Sequence, residues 1–143
     1  MLIGMLRFLL KSILILIISL NVIAFSANAT DYYVNDNATM GDVYCTAVGD
    51  IANDGLSASS PLPSLNDVIA AHGPGGTGMI GDGDVFYIDA GTYFQTDANL
   101  GINLNDISII GAGSDLTVFD NAAASSDANR WANIFGDNIV IQG

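Results

Sequence analysis

Gly83-Asp84-Val85-Phe86-Tyr87-Ile88-Asp89-Ala90-Gly91-Thr92-Tyr93 sets β-branched and aromatic residues between Gly and Asp turn formers. The pattern returns as Ile107-Ser108-Ile109-Ile110-Gly111 and again as Asn138-Ile139-Val140-Ile141-Gln142-Gly143. Spacings of about 22 and then about 32 residues fall in the range of solenoid repeats, where each unit buries its apolar face only against its neighbours.

From residue 84 onward, short strands are expected at 85–88, 92–95, 107–110, 116–119, 134–135 and 138–142. Gly91, Gly111, Gly113 and Gly136 punctuate them where sharp corners call for positive φ. Val85/Tyr87, Ile107/Ile109 and Ile139/Ile141 are expected to point inward and stack as an aliphatic ladder. The fold expected is all-β, a right-handed parallel β-helix with a short N-terminal capping helix, and residues 84–143 form its first coils.

Upstream, Tyr32-Tyr33-Val34 and residues 43–48 read as strands separated by Asn and Asp turns. Residues 50–63 form a loop rich in Asn, Asp, Gly, Ser and Pro. Ser64 then caps a helix in which Leu65, Val68, Ile69 and His72 share one face, with Asp67 completing a weak capping box and Gly73-Pro74 ending it. An exposed first coil needs a cover, and this helix is expected to supply it. Residues 30–83 are read as that N-terminal portion. His72, on the apolar side without a second His, Cys or Glu, is a packing residue. Cys45, the single cysteine, is read as a small buried hydrophobe, with no base beside it in sequence to activate a thiol.

The first 29 residues have the composition of a secretory signal peptide. Arg7 and Lys11 precede the apolar run Ser12-Ile13-Leu14-Ile15-Leu16-Ile17-Ile18-Ser19-Leu20-Asn21-Val22-Ile23-Ala24-Phe25, and Ala27-Asn28-Ala29 supplies small residues for cleavage before Thr30. The run is shorter than the roughly 20 residues that span a bilayer. The protein is therefore expected to be secreted, at the cell surface or in a periplasm, meeting a membrane only through the leader during export.

Removing Arg7 and Lys11 takes the formal charge from −12 to −14 and leaves Arg130 as the last strong base. Such a chain cannot neutralise phosphates, so nucleic acid is excluded as a partner. All 15 acidic residues are Asp, the acid suited to turns and ill suited to helix interiors.

Few motifs carry chemistry. Residues 121–131 form an insertion whose Arg130 and Trp131 are the candidate ligand-binding pair, an aromatic plane for a sugar ring and a guanidinium for a carboxylate. Asp50, Asn53 and Asp54 are candidate metal ligands, and calcium is the one cofactor their oxygens suit, although the spacing is not that of an EF-hand. Asp82, Asp84 and Asp89 form a second acidic group that turn formation explains equally well. Gly76-Thr77-Gly78-Met79-Ile80-Gly81 matches a dinucleotide fingerprint but follows a helix and precedes a strand, the reverse of the required order. No catalytic residue is assigned.

Taken in succession, Tyr32-Tyr33-Val34, Asp54-Gly55-Leu56-Ser57, Ser64-Leu65-Asn66-Asp67-Val68-Ile69-Ala70-Ala71 and residues 83–93 resemble the N-terminal cap and first coil of the pectin lyase-like right-handed parallel β-helix superfamily. Ile107-Ser108-Ile109-Ile110-Gly111-Ala112-Gly113 and Thr117-Val118-Phe119-Asp120 continue the resemblance. It implies a fold more than an activity, since that superfamily holds polysaccharide lyases, glycoside hydrolases and adhesins. Its enzymes work from middle coils, through carboxylates with calcium and an Arg or Lys base, or through paired Asp residues. The expectation is thus an N-terminal portion, inactive alone, of a protein that binds or cleaves an extracellular, acidic polysaccharide. The alternative is a non-catalytic surface or adhesin-type scaffold.

Overall fold

The structure is a computed structural model that describes residues 28–74, 76–94, 101–103, 105–120 and 133–143. The leader through residue 27, the insertion at 121–131 with Arg130 and Trp131, and residue 95 lie outside the described residues.

In chain order the elements are β1 (Asp31–Val34), α1 (Leu65–His72), β2 (Val85–Ile88), β3 (Gly91–Phe94), β4 (Gly101–Asn103), β5 (Ser108–Gly111), β6 (Thr117–Asp120), β7 (Asn133–Phe135) and β8 (Val140–Gln142). Every strand pairing among the described residues is parallel. One sheet runs β1-β2-β5-β8, a second pairs β3 with β6, and a third pairs β4 with β7. From β2 onward each paired strand lies beside the one three strands later, so the segment β2-β3-β4 is matched in order by β5-β6-β7. The protein is thus strand-rich, built on parallel sheets with little helix. Among the described residues no helix is long and apolar enough to cross a membrane.

The principal sheet buries one face. Registers Tyr32↔Phe86↔Ile109↔Ile141 and Val34↔Ile88 place those residues in inward rows, and Tyr32, Val34, Phe86 and Ile88 are wholly inaccessible to solvent. The expected inward pair Val85/Tyr87 is therefore corrected: both are half-buried on the other face. Side chains alternate with a period of two, so the choice was between Val85/Tyr87 inside and Phe86/Ile88 inside. The neighbouring strands settle it: Phe86 stacks on Tyr32 and is in register with Ile109, and Ile88 is in register with Val34. Ile107 and Ile109 do face inward.

A second correction concerns residues 43–48, which form no strand. The N–H groups of Val43, Tyr44 and Cys45 all donate to the Asp89 carboxylate, which takes the place of a strand ladder. Strand β4 had no counterpart in the expected pattern. Gly91, Gly113 and Gly136 hold positive φ as expected, and Gly111 does not. At Gly91 a side chain is also impossible on steric grounds, because a Cβ there would lie 2.6 Å from Asp36 Oδ2.

Helix α1 forms where expected. Ser64 is its N-cap, with Oγ accepting the Asp67 N–H at 3.2 Å while the Ser64 hydroxyl donates to the Asp67 carboxylate. Leu65 and Val68 join Tyr32, Val34, Leu62, Phe86, Ile88, Tyr93, Ile107 and Ile109 in one core. On the β1 edge of the sheet Leu62 forms a parallel bridge to Val34. Helix and loop thus cover the end of the sheet where β1 lies.

Candidate functional site

The outward face of the principal sheet carries Tyr33 on β1 and Tyr87 on β2, which the register places side by side. Their rings stack at a centroid distance of 5.4 Å and an interplanar angle of 24°. Tyr44, from the loop after β1, leans on Tyr87 at 5.1 Å and 48°. Its hydroxyl donates to the Gly111 carbonyl at 3.0 Å, spanning from the loop to the end of β5. All three rings are half-buried, and Ser108 and Ile110 continue the same face on β5. Partial burial pushes the Tyr33 hydroxyl above its ordinary pKa, with the charge of Asp31 adding to the effect. The result is a half-buried aromatic cluster in which Tyr87 packs against both Tyr33 and Tyr44 and the Tyr44 hydroxyl is already engaged; the ring surface it leaves open can pack on an apolar ligand face.

At the corner after β2 Asp89 is wholly buried. Its Oδ1 accepts from Val43 N at 2.6 Å and Ala90 N at 2.8 Å, and its Oδ2 from Tyr44 N at 2.8 Å and Cys45 N at 2.5 Å. Burial pulls its pKa upward, but the four backbone donors outweigh this and hold the carboxyl below its ordinary range. Asp89 fixes the loop that carries Tyr44 and is not free to act as an acid or base. Asp84, also buried, accepts from Thr30 N and Gly81 N, each at 2.8 Å. Asp82 binds Asn105.

Asn35 is a third buried polar anchor. Its Nδ2 donates to Ala38 O, Asp42 Oδ2 and Ala47 O. Asp42 has its pKa raised by burial, an effect that the Asn35 hydrogen bond opposes and the Asp89 charge reinforces.

The candidate metal ligands sit in local turns. Asp50 Oδ1 accepts the Ala52 N–H at 2.9 Å, Asp54 Oδ1 accepts the Leu56 N–H at 3.0 Å, and Asn53 Nδ2 donates to Pro61 O at 2.8 Å. The Leu56 N–H is the main reason the Asp54 carboxyl lies below its ordinary pKa. Among the described residues no group of three or more His, Cys, Asp or Glu could hold a metal ion.

His72 is buried, its ring tilted at 40° against Tyr32 with centroids 5.2 Å apart, with Nε2 2.6 Å from the Asp54 carbonyl oxygen and Nδ1 3.3 Å from Thr77 Oγ1, as a packing residue should be. Cys45 is buried, and burial together with the Asp89 charge pushes its thiol up to about 12. A hollow of about 190 Å³ between β5, β6 and β8 is lined chiefly by apolar and glycine residues, among them Ile88, Ile109, Phe119 and Ile141. Its lining shares Ile88 and Ile109 with the core.

The tyrosine platform was absent from the residues singled out in the sequence. Its signal was the matched Tyr33 and Tyr87 positions, hidden by the inverted phase assigned to β2. No protein-family model, curated protein or solved structure was found to match the chain.

Proposed function

We propose that this chain is a secreted right-handed parallel β-helix protein of the pectin lyase-like kind, and that it binds extracellular polysaccharide on the Tyr33, Tyr87 and Tyr44 face. The parallel, in-register return of every third strand from β2 onward supports the coil reading. The observation that carries the binding is the three-tyrosine stack on the solvent side of a parallel sheet. Pyranose rings present axial C–H faces that pack on aromatic rings, and the Tyr33 and Tyr87 hydroxyls would meet the sugar hydroxyls at the edge.

Charge selects among glycans. The mature chain carries one strong base and a formal charge of −14, so a polyuronate would approach against a repulsive field. A neutral glycan fits this surface better than the acidic one expected from the superfamily resemblance. The reading is of a binding scaffold, because the buried carboxylates Asp84 and Asp89 already serve backbone N–H groups.

The test is co-sedimentation of residues 30–143 with insoluble neutral glycans and with polyuronates, with and without calcium. Retention on a neutral glycan, lost in Tyr87→Ala and Tyr33→Ala, is the expected result. Equal retention of wild type and both variants would reject the platform, and preference for polyuronate without calcium would reject the charge argument.

A further inference from the structure

We propose that signal-peptide removal creates an amino terminus at Thr30 that is captured by the buried Asp84 carboxylate, so that processing itself locks β1 onto β2. The inference rests on the secretory-leader reading of residues 1–29. It joins two independent observations, a cleavage motif in the sequence and a buried acceptor in the structure.

Thr30 N lies 2.8 Å from Asp84 Oδ1, across 54 residues of sequence. The Thr30 carbonyl accepts the Val85 N–H at 3.0 Å, so the residue is held at both its backbone groups. Asn28 and Ala29 are exposed and Thr30 is half-buried, so the chain begins to enter the fold at the Ala29–Thr30 bond. Asp84 is 2 % exposed, and among the described residues its carboxylate accepts from two backbone N–H groups, Thr30 on Oδ1 and Gly81 on Oδ2. No Lys or Arg lies among the described residues. A buried carboxylate without a countercharge is costly, and an ammonium delivered to Oδ1 supplies one.

The covalent step is hydrolysis by a signal peptidase during export, before the chain folds. The Ala29 C–N bond to Thr30 breaks, hydroxyl from water joins the Ala29 carbonyl carbon, and hydrogen joins Thr30 nitrogen. At neutral pH the products are a carboxylate on the departing leader and an ammonium on Thr30. The amide N–H donor seen at Asp84 thereby becomes a charged one.

Thr30, just before β1, faces Asp84 at the corner before β2. Tyr32 on β1 contributes a buried hydroxyl that has no partner in hydrogen-bonding geometry, and its pKa is raised to about 12 by burial and then by the Asp84 charge, with the Thr30 hydroxyl opposing. Asp31 follows in sequence and Asp82 lies on the same turn. These surroundings favour the protonated amine, so its folded pKa is raised above the usual value of about 8. The stabilisation is complete below that unfolded value and is lost as pH rises through the raised folded value.

The experiment compares three forms of residues 30–143 by chemical denaturation: free Thr30, Nα-acetylated Thr30, and Thr30 preceded by Ala29. At pH 7 the free form is expected to unfold with an equilibrium constant about tenfold smaller than either blocked form, a gap of 1.4 kcal/mol, and the gap should close at pH 11. Asp84→Asn should abolish the gap. Should that variant not fold, NMR titration of the ¹⁵N-labelled Thr30 amine in the wild-type chain decides, and an ordinary amine pKa overturns the capture. Mass spectrometry of the exported protein separates the two layers. A mature terminus other than Thr30 refutes the cleavage assignment, whereas a Thr30 terminus with no gap refutes the capture alone.

Discussion

Asp89 and Cys45 stand 44 residues apart, and the Cys45 N–H donates to Asp89 Oδ2 at 2.5 Å. That bond, with those from Val43, Tyr44 and Ala90, fastens the loop after β1 to the corner after β2. Replacing the carboxylate leaves buried N–H groups without an acceptor, a loss of about 3 kcal/mol or more. Asp89→Ala is expected to lower stability by that amount in urea denaturation and to release Tyr44. Because the folded Asp89 pKa is depressed, its contribution is present above about pH 4 and fades as pH falls through the folded value. Wild type should therefore lose stability more steeply in acid than the variant, and parallel pH profiles would refute this role.

The phase of β2 is open to direct test. Phe86 is wholly buried and stacks on Tyr32 at 5.2 Å and 19°, whereas Tyr87 is half-buried on the opposite face. Phe86→Ala should cost about 3–5 kcal/mol through lost burial and a residual cavity. Tyr87→Ala should cost about 1 kcal/mol, the scale of an aromatic pair on a sheet surface. Paired denaturation curves check both, and a larger loss at Tyr87 than at Phe86 would restore the opposite phase.

Much of the strand content was legible because it depends on local composition: Thr117-Val118-Phe119 reads as β under almost any tertiary arrangement, and Ser64 with Asp67 marks a helix start by adjacent chemistry. The misreadings share a different cause. Val43, Tyr44 and Cys45 have strand-like side chains, but their backbone is claimed by Asp89, a partner no local window contains. The phase of β2 was likewise decided by Tyr32 and Ile109 on neighbouring strands. The tyrosine face followed from that phase, so it could not be read before the register was known. Asp50 and Asp54 lie in a stretch dense in side-chain oxygens, and density does not distinguish a ligand from an Asx turn.

The Cys45 thiol is expected to be inert. It is buried, its Sγ lies 3.7 Å from the Val34 carbonyl, and burial and the Asp89 charge raise its pKa to about 12. The thiolate is the reacting species, so almost none is present at pH 8. Labelling by an aromatic disulfide reagent should be undetectable in native protein and complete in denaturant. Rapid labelling of the native chain would show that the Asp89 loop opens.

Calcium provides the last test, because the residues 50–56 loop gives it a definite answer. Asp50 and Asp54 each commit one carboxylate oxygen to an N–H two residues ahead, and the Asn53 amide is turned toward Pro61 as a donor. Calcium takes six to eight oxygens at about 2.3–2.6 Å and would have to draw these groups out of their turns. The loop already holds its shape through Asn53 N to Asp50 O at 3.0 Å and Gly55 N to Ser60 O at 2.8 Å. Millimolar calcium or a chelator should then shift the melting temperature by less than about 1 °C, well under the several degrees that 1 kcal/mol of linked binding produces in a chain of this size. Asp54→Asn should leave that insensitivity unchanged. A calcium-dependent rise of several degrees that disappears in Asp54→Asn would instead make this loop a metal site and make its turn geometry the apo form.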